Sequence, residues 1–377
     1  MVEADVLIAG GGVAGLATSL GLARVGLSCL VLEAARRRGE LDRGDVLHAY
    51  ALEILEEWDA ASDIFHAGAL RISGFRVMDN KGAVLKNLDT RRDVSPPADL
   101  VALRHSSIEN SLEAAAIRTG KVQIVYGVRC LALLKEEGRV VGVKTTKGDY
   151  RASLTVAATG SSSRLVADDF PTAFKVKYNA SYYSMRCGFV SFHRDAGVYA
   201  LGPRGVLVTA PLPNHETRVV LQLSRLQAVP TGNDLDEQVR SLGLAFDGSL
   251  PVLQAHLYRV ACYMARRFWR PGVVLVGDTA HTTHPVGGQG MNLAIRGAHS
   301  LAASIKRIGD LSSIGVDRSC AEYQHDMRRR AFRTLWLTHV LGAIGASRRL
   351  RHLGCSVFSN LSDRRIAALL SRLCWGA

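Results

Sequence analysis

Asp5-Val6-Leu7-Ile8-Ala9-Gly10-Gly11-Gly12-Val13-Ala14-Gly15 runs from an apolar strand into a glycine turn, and Cys29-Leu30-Val31-Leu32-Glu33 follows one helix later. A strand, a glycine turn, a helix over Leu16 to Val25 and a second strand ending in an acid is the pattern of a dinucleotide-binding βαβ unit. Each glycine has a physical job. Gly10 permits the tight turn, Gly12 lets a pyrophosphate approach bare backbone, and Gly15 lets helix and strand pack closely. The phosphates then rest on the helix N-terminus, beside Ala14. Glu33 lies about 20 residues on, where it accepts from a ribose hydroxyl, with Ala34 directly after it on the same surface.

A second stretch decides which dinucleotide. Phe268-Trp269-Arg270-Pro271-Gly272 reads as a turn, Val273-Val274-Leu275-Val276 as a buried strand, and Gly277-Asp278-Thr279-Ala280-His281 as its polar end. Pro285-Val286-Gly287-Gly288-Gln289-Gly290-Met291-Asn292 then opens a helix. Such a helix start aims unpaired N–H groups and a positive dipole end at what precedes it. A reduced flavin, anionic at N1 and C2=O, suits that end.

From Val274 to Ala298 the chain resembles the single-component flavoprotein monooxygenases of the p-hydroxybenzoate hydroxylase type, most closely the branch of ubiquinone-pathway and alkylquinolone hydroxylases. The resemblance implies FAD, with NADPH or NADH as reductant and O2 as co-substrate. It implies that Asp278 holds the ribityl chain, that Pro285 lies beside the isoalloxazine, and that Gly288, Gly290, Met291 and Asn292 complete that wall. Arg43, in Asp42-Arg43-Gly44-Asp45-Val46-Leu47-His48, takes the family's FAD-contacting role, and Arg104, ahead of Ile108 and Leu112 at helical spacing, matches an arginine that reaches the FAD chain. The implied reaction hydroxylates or epoxidises an electron-rich aromatic or polyene molecule through a flavin C4a-hydroperoxide. No side chain need act as nucleophile; His48, Pro285 and Tyr182 are the candidates beside the chemistry, with Tyr183 and His284 behind them. Three positions depart from the family: Thr159 and Gly297 stand where aspartates are usual, and Val166 where an arginine is, with Arg164 two positions earlier. Thr159 keeps rival readings open, a flavoprotein reductase or an FAD enzyme of non-redox, cyclising type. A flavin-dependent halogenase is excluded, since Trp58, Trp269, Trp336 and Trp375 are far apart.

With 377 residues, 47% of them hydrophobic, the chain can bury a large core. The expected class is α/β: a Rossmann-like FAD-binding domain from 1–70, 98–170 and 262–322, a mainly β substrate domain inserted at 71–97 and 171–261, and a helical segment over 323–377. Ala49 to Trp58 reads as an amphipathic helix, and Leu70 to Leu88 as a hairpin around Asp79-Asn80-Lys81-Gly82. Tyr182 to Phe192, Gly205 to Ala210 and Arg218 to Ser224 alternate as strands of the sheet that roofs the flavin.

Seven cysteines without C-x-x-C spacing argue against disulfide frameworks and metal sites. With Met1-Val2-Glu3-Ala4 leading straight into a strand, a cytoplasmic protein is expected. The net charge of +13 gathers toward the C-terminus, where ten arginines follow Tyr323, among them Arg348, Arg349 and Arg351. Interleaved with apolar residues, they suit peripheral contact with an anionic membrane or a carrier protein, or packing on the FAD domain. No base-reading motif accompanies them, so nucleic acid is not expected. The oligomeric state is not legible.

Overall fold

The computed structural model describes residues 4–37, 44–161, 164–188, 190, 195–202, 205–224, 227–347 and 349–351, with seven positions between 362 and 374. Its first layer is a six-stranded sheet ordered Trp269–Arg270, Val273–Leu275, Leu154–Ala157, Val6–Ala9, Cys29–Glu33, Val122–Tyr126. All neighbours run parallel except the first pair. Val6–Ala9 and Leu154–Ala157 are buried along their whole length, as parallel strands covered on both faces must be. The first helix spans Val13–Arg24, so it starts three residues before the expected Leu16. Gly12 is its N-cap, and the turn is therefore short enough for Ala14 and Gly15 to be helical.

The second layer is an eight-stranded sheet ordered His281–Thr282, Val252–Ala265, Thr172–Cys187, Glu216–Ser224, Gly205–Leu212, Ala196–Gly202, Gly74–Asp79, Val84–Asp89. The last two form the expected hairpin. The strand read as ending at Phe192 ends at Cys187, and Phe192 lies outside the described residues. Helix Gly232–Arg240 covers one face of this sheet, its Leu235 and Val239 packing with Met185, Leu221 and Leu223. The opposite face looks at the start of helix Gln289–Ile308, which runs on to pack against the first helix.

A 34-residue helix, Ser313–Ala346, closes the molecule. It passes unbroken through 322 and 323, where the sequence reading began a separate segment. Its inner stripe is the reason. Val316, Cys320, Tyr323, Met327, Ala331 and Leu335 recur at helical spacing and belong to the main core, and the buried Tyr323 hydroxyl donates to the Leu275 carbonyl at 2.9 Å. Strand Val252–Ala265 likewise crosses the expected limit at 261. Beyond the helix, Ile366 and Cys374 pack with Ala49, Ile72 and Leu100. Arg351 is buried, its guanidinium donating to the carbonyls of Gly202 and Gly345, which corrects its reading as a lipid-facing cation. Among the described residues no helix is long and apolar enough to cross a membrane, and no group of side chains could hold a metal ion.

Candidate functional site

The glycine turn is a backbone cradle. Gly10 sits at φ +106°, and a Cβ there would lie 2.4 Å from the Ala158 carbonyl oxygen. A Cβ on Gly15 would lie 1.9 Å from the Gly10 carbonyl oxygen, so helix and strand touch through bare backbone. Gly12 differs: the nearest atom to its Cβ position is Glu109 Oε1, at 3.8 Å. That openness fits a pyrophosphate. Glu33 is held by its own strand end, accepting from Gly11 N at 2.7 Å and from Ala35 N at 2.8 Å, so its carboxylate borders the cradle. Ala34 is exposed just beyond it.

The second motif faces the first. After strand Val273–Leu275 the chain makes a short helical turn, Gly277–Thr279, that carries Asp278. Gly277 has φ +57°, and a Cβ on it would strike the Ala14 methyl at 2.5 Å, so the two glycine motifs are in contact. Helix Gln289–Ile308 has Gly288 as a left-handed N-cap with no side-chain cap, leaving its first N–H groups to whatever lies before it. Asn292 does not itself reach out. Its Oδ1 accepts from His48 N at 2.8 Å, and its Nδ2 donates to the carbonyls of Val46 and Gly288, stapling strand Gly44–Leu47 to the helix start. His48 is buried there, its Nε2 4.0 Å from the Cβ position of Gly288. Gly290 lies over Asp278, and Met291 is half-buried against the neighbouring core. The cradle, Glu33, Asp278 and the uncapped helix start fit FAD.

Tyr182 and Pro285 come to the same place. His284, next to Pro285, accepts at Nδ1 from Val286 N at 3.2 Å, which leaves the proton of the neutral ring on Nε2. That N–H donates to the Tyr182 hydroxyl, 3.3 Å away. Burial, and His339 nearby, push the His284 pKa down to about 4, so the ring is neutral at physiological pH. Burial alone does the same to His281, again to about 4. Burial also pushes the Tyr182 phenol upward, so it works as a neutral hydrogen-bonding group. Along the roof, Tyr199 accepts from Gly287 N at 3.2 Å. Register puts Ser184, Val220, Val208 and Tyr199 side by side in one row, whose Tyr199 end meets Gly287.

Residues 3–334 match the family model described as FAD binding domain. The chain belongs to that family. This FAD-binding protein is similar to 6-methylpretetramide 4-monooxygenase of Streptomyces rimosus, 27% identical over 350 residues, 86% of this chain and 81% of that one. It is also similar to ubiquinone hydroxylase UbiL of Rhodospirillum rubrum, 27% identical over 343 residues, 85% and 77% of the two chains. Its fold matches P. aeruginosa PqsL in complex with 2-aminobenzoylacetate at TM-score 0.82 and 19% identity, over 95% of this chain and 100% of that one. The resemblance read from the two glycine motifs is borne out, as is the α/β class.

Other expected residues of this FAD-binding protein are engaged within the fold or lie outside the described residues. Arg43 lies outside the described residues. Arg104 is the N-cap of helix His105–Arg118, and its guanidinium is engaged by Glu216 Oε1 at 2.6 Å; the side chain this helix brings to Gly12 is Glu109. Val166 is a core residue and Arg164 is exposed, so neither restores the family's arginine inside the fold. At Gly297 a Cβ would sit 3.6 Å from both Met327 and Tyr323, so the long helix fills the space an aspartate would need. Gly160, next to Thr159, is tied by its N–H to Thr279 Oγ1 at 2.9 Å, which closes the turn beside Gly10. The sequence reading missed Tyr199, Ser184, Gln222, Arg186 and Arg218. Strand alternation could have put Ser184 and Arg186 on one face with Tyr182; their partners across the sheet carry no local signal.

Proposed function

We infer that the substrate is a small electron-rich aromatic or polyene molecule that lies between the start of helix Gln289–Ile308 and the roof row of Ser184, Val220, Val208 and Tyr199. The protein is an FAD-dependent monooxygenase, an oxidoreductase that uses NAD(P)H and O2. The observation that carries the substrate site is the uncapped helix start at Gly288, flanked by His48 and His284 and faced by Tyr199. Bound FAD supplies the oxygen chemistry. The chain's own residues hold it, with Gly12 open to the pyrophosphate in the turn that Gly10 and Gly15 shape, Glu33 at the ribose and Asp278 at the ribityl chain, and shut water out of the roofed space. The FAD-holding part comprises 1–70, 98–170 and 266–346, and the roof 71–97 and 171–265, with both later limits moved to the ends of the strand and helix that cross the expected ones. Peripheral contact with an anionic membrane or a carrier protein falls to Arg329 and Arg333, exposed beside Trp336 on the long helix, rather than to Arg351.

Purified protein should be yellow with FAD that leaves on denaturation, and should consume O2 and NAD(P)H faster when a suitable aromatic is added, yielding a product one oxygen heavier. Reduction of a substrate without O2 uptake would make it a reductase. Turnover without NAD(P)H would make it a non-redox flavoprotein.

A further inference from the structure

Strand Leu100–Arg104 runs straight into helix His105–Arg118, and that helix brings an acid to the anion-binding turn. Glu109 Oε1 lies 3.8 Å from the Cβ position of Gly12. Gly12 is the N-cap of helix Val13–Arg24, whose first N–H groups and dipole favour a bound anion. A carboxylate at that spot opposes the same anion. The Glu109 side chain is only 20% exposed, so water screens the repulsion poorly. His105 stands between this acid and a second one. Its Nε2 is 3.4 Å from Glu109 Oε1, and its Nδ1 is 2.5 Å from Asp45 Oδ2 on strand Gly44–Leu47. Only the protonated ring can donate from both nitrogens. From the roof sheet, Arg218 comes within 3.8 Å of Asp45, while the neighbouring Arg104 is engaged by Glu216 at 2.6 Å.

We propose that Glu109 sets the affinity of this chain for the FAD pyrophosphate, and that His105 governs it through its charge. The proposal rests on the reading of Gly12 as the pyrophosphate end of the cradle. With the ring protonated, its positive charge offsets the Glu109 carboxylate and FAD is held tightly. With the ring neutral, the same carboxylate meets the pyrophosphate with one positive charge fewer beside it, and FAD is held weakly. Histidine ordinarily gives up its proton near pH 6.5, so FAD affinity falls as pH rises through the ring's titration. By linkage, FAD binding there takes up protons. The two histidines beside Pro285 do not share this window: His281 and His284, with pKa lowered to about 4, stay neutral throughout it. Arginine keeps its charge across it, and the pyrophosphate is fully ionised.

The full chain, stripped of cofactor, is titrated with FAD from about pH 6 to about pH 9 at fixed ionic strength, and Kd is read from flavin fluorescence. The native Kd should rise at least tenfold across that range. Glu109→Gln should bind FAD at least tenfold more tightly than the native chain at the alkaline end and lose most of the pH dependence. His105→Gln should also lose it, but with the weak affinity at every pH. A native Kd that does not move with pH, or a Glu109→Gln variant that keeps the native profile, would overturn the proposal and leave His105 and Glu109 as an ion pair of the fold. If His105→Gln does not fold, Glu109→Gln at the alkaline end decides. Gly12→Ala tells the two readings apart. Weakened FAD binding there beside a native profile in Glu109→Gln defeats the proposal alone, whereas unchanged binding in Gly12→Ala defeats the reading of the turn and the proposal with it.

Discussion

The glycine turn at residues 10–15 and the roof strands Thr172–Cys187 and Glu216–Ser224 hold opposite ends of one chamber by different means. At the turn the working groups are backbone atoms, and the side chains matter by their absence: a methyl on Gly15 would meet the Gly10 carbonyl oxygen at 1.9 Å. On the roof the working groups are side chains, and what each can do depends on the residue opposite it. Tyr182 stands between Gln222 and Tyr258, and Arg186 between Arg218 and Gln254. A cofactor bound through backbone leaves its mark as glycine. A substrate bound through cross-strand neighbours leaves almost none.

The largest effect sets two glycines of the turn against each other. Gly15→Ala should destabilise the fold by about 3 kcal/mol, the upper end of overpacking costs, seen as a lower Tm in FAD-free protein. Gly12→Ala should leave that Tm unchanged, since nothing lies closer than 3.8 Å to its Cβ position, and should weaken FAD binding instead. Equal Tm losses in both would break the distinction between a packing glycine and a ligand-facing one.

On the other side of the chamber, His281 and His284 resist protonation in the folded state, both with pKa lowered to about 4 by burial. Unfolded histidine takes up its proton near pH 6.5, so between pH 6.5 and 4 the unfolded chain binds more protons and stability falls as pH falls. The loss should reach at most about 3 kcal/mol per histidine and level off below pH 4. Urea unfolding midpoints across that window test it, and His284→Gln should flatten part of the slope.

Asp278→Ala asks whether the second motif behaves like the first. The loss of a charged acceptor for a ribityl hydroxyl should weaken FAD binding by about 2 kcal/mol, measured by fluorescence titration of the stripped protein, with little change in its Tm. The smallest effect is that of Tyr323→Phe, which removes the hydrogen bond from the long helix to Leu275 without opening a cavity. It should cost about 1 kcal/mol in chemical denaturation and leave FAD affinity alone, because it acts on the scaffold behind the chamber.

Much of the cofactor end was legible. The βαβ unit, the hairpin over residues 74–89 and the helix after Gly288 all stand where periodicity and glycine placed them, with edges shifted by a few residues. Asn292 was legible as a member of that wall, yet its side chain serves to clamp His48 and Val46, because three backbone groups converge on it only once residues 244 and 246 positions apart are folded together. The basic tail misled for a related reason. Arg351 reads as one more surface cation until the chain turns back and two carbonyls close on it.

What the sequence by itself determined is the backbone chemistry: glycines are required wherever φ is positive or a carbonyl sits where a Cβ would be, and those demands act over a few residues. It determined the α/β class and the FAD family through them. Only the tertiary structure decided which side chains share the chamber. Whether Arg218 faces Arg186, His284 meets Tyr182, or Gly342 leaves room for the His284 ring depends on strand register and on where a 34-residue helix comes to rest. Those are set by the summed packing of a core drawn from the whole chain, and no single stretch of sequence encodes them.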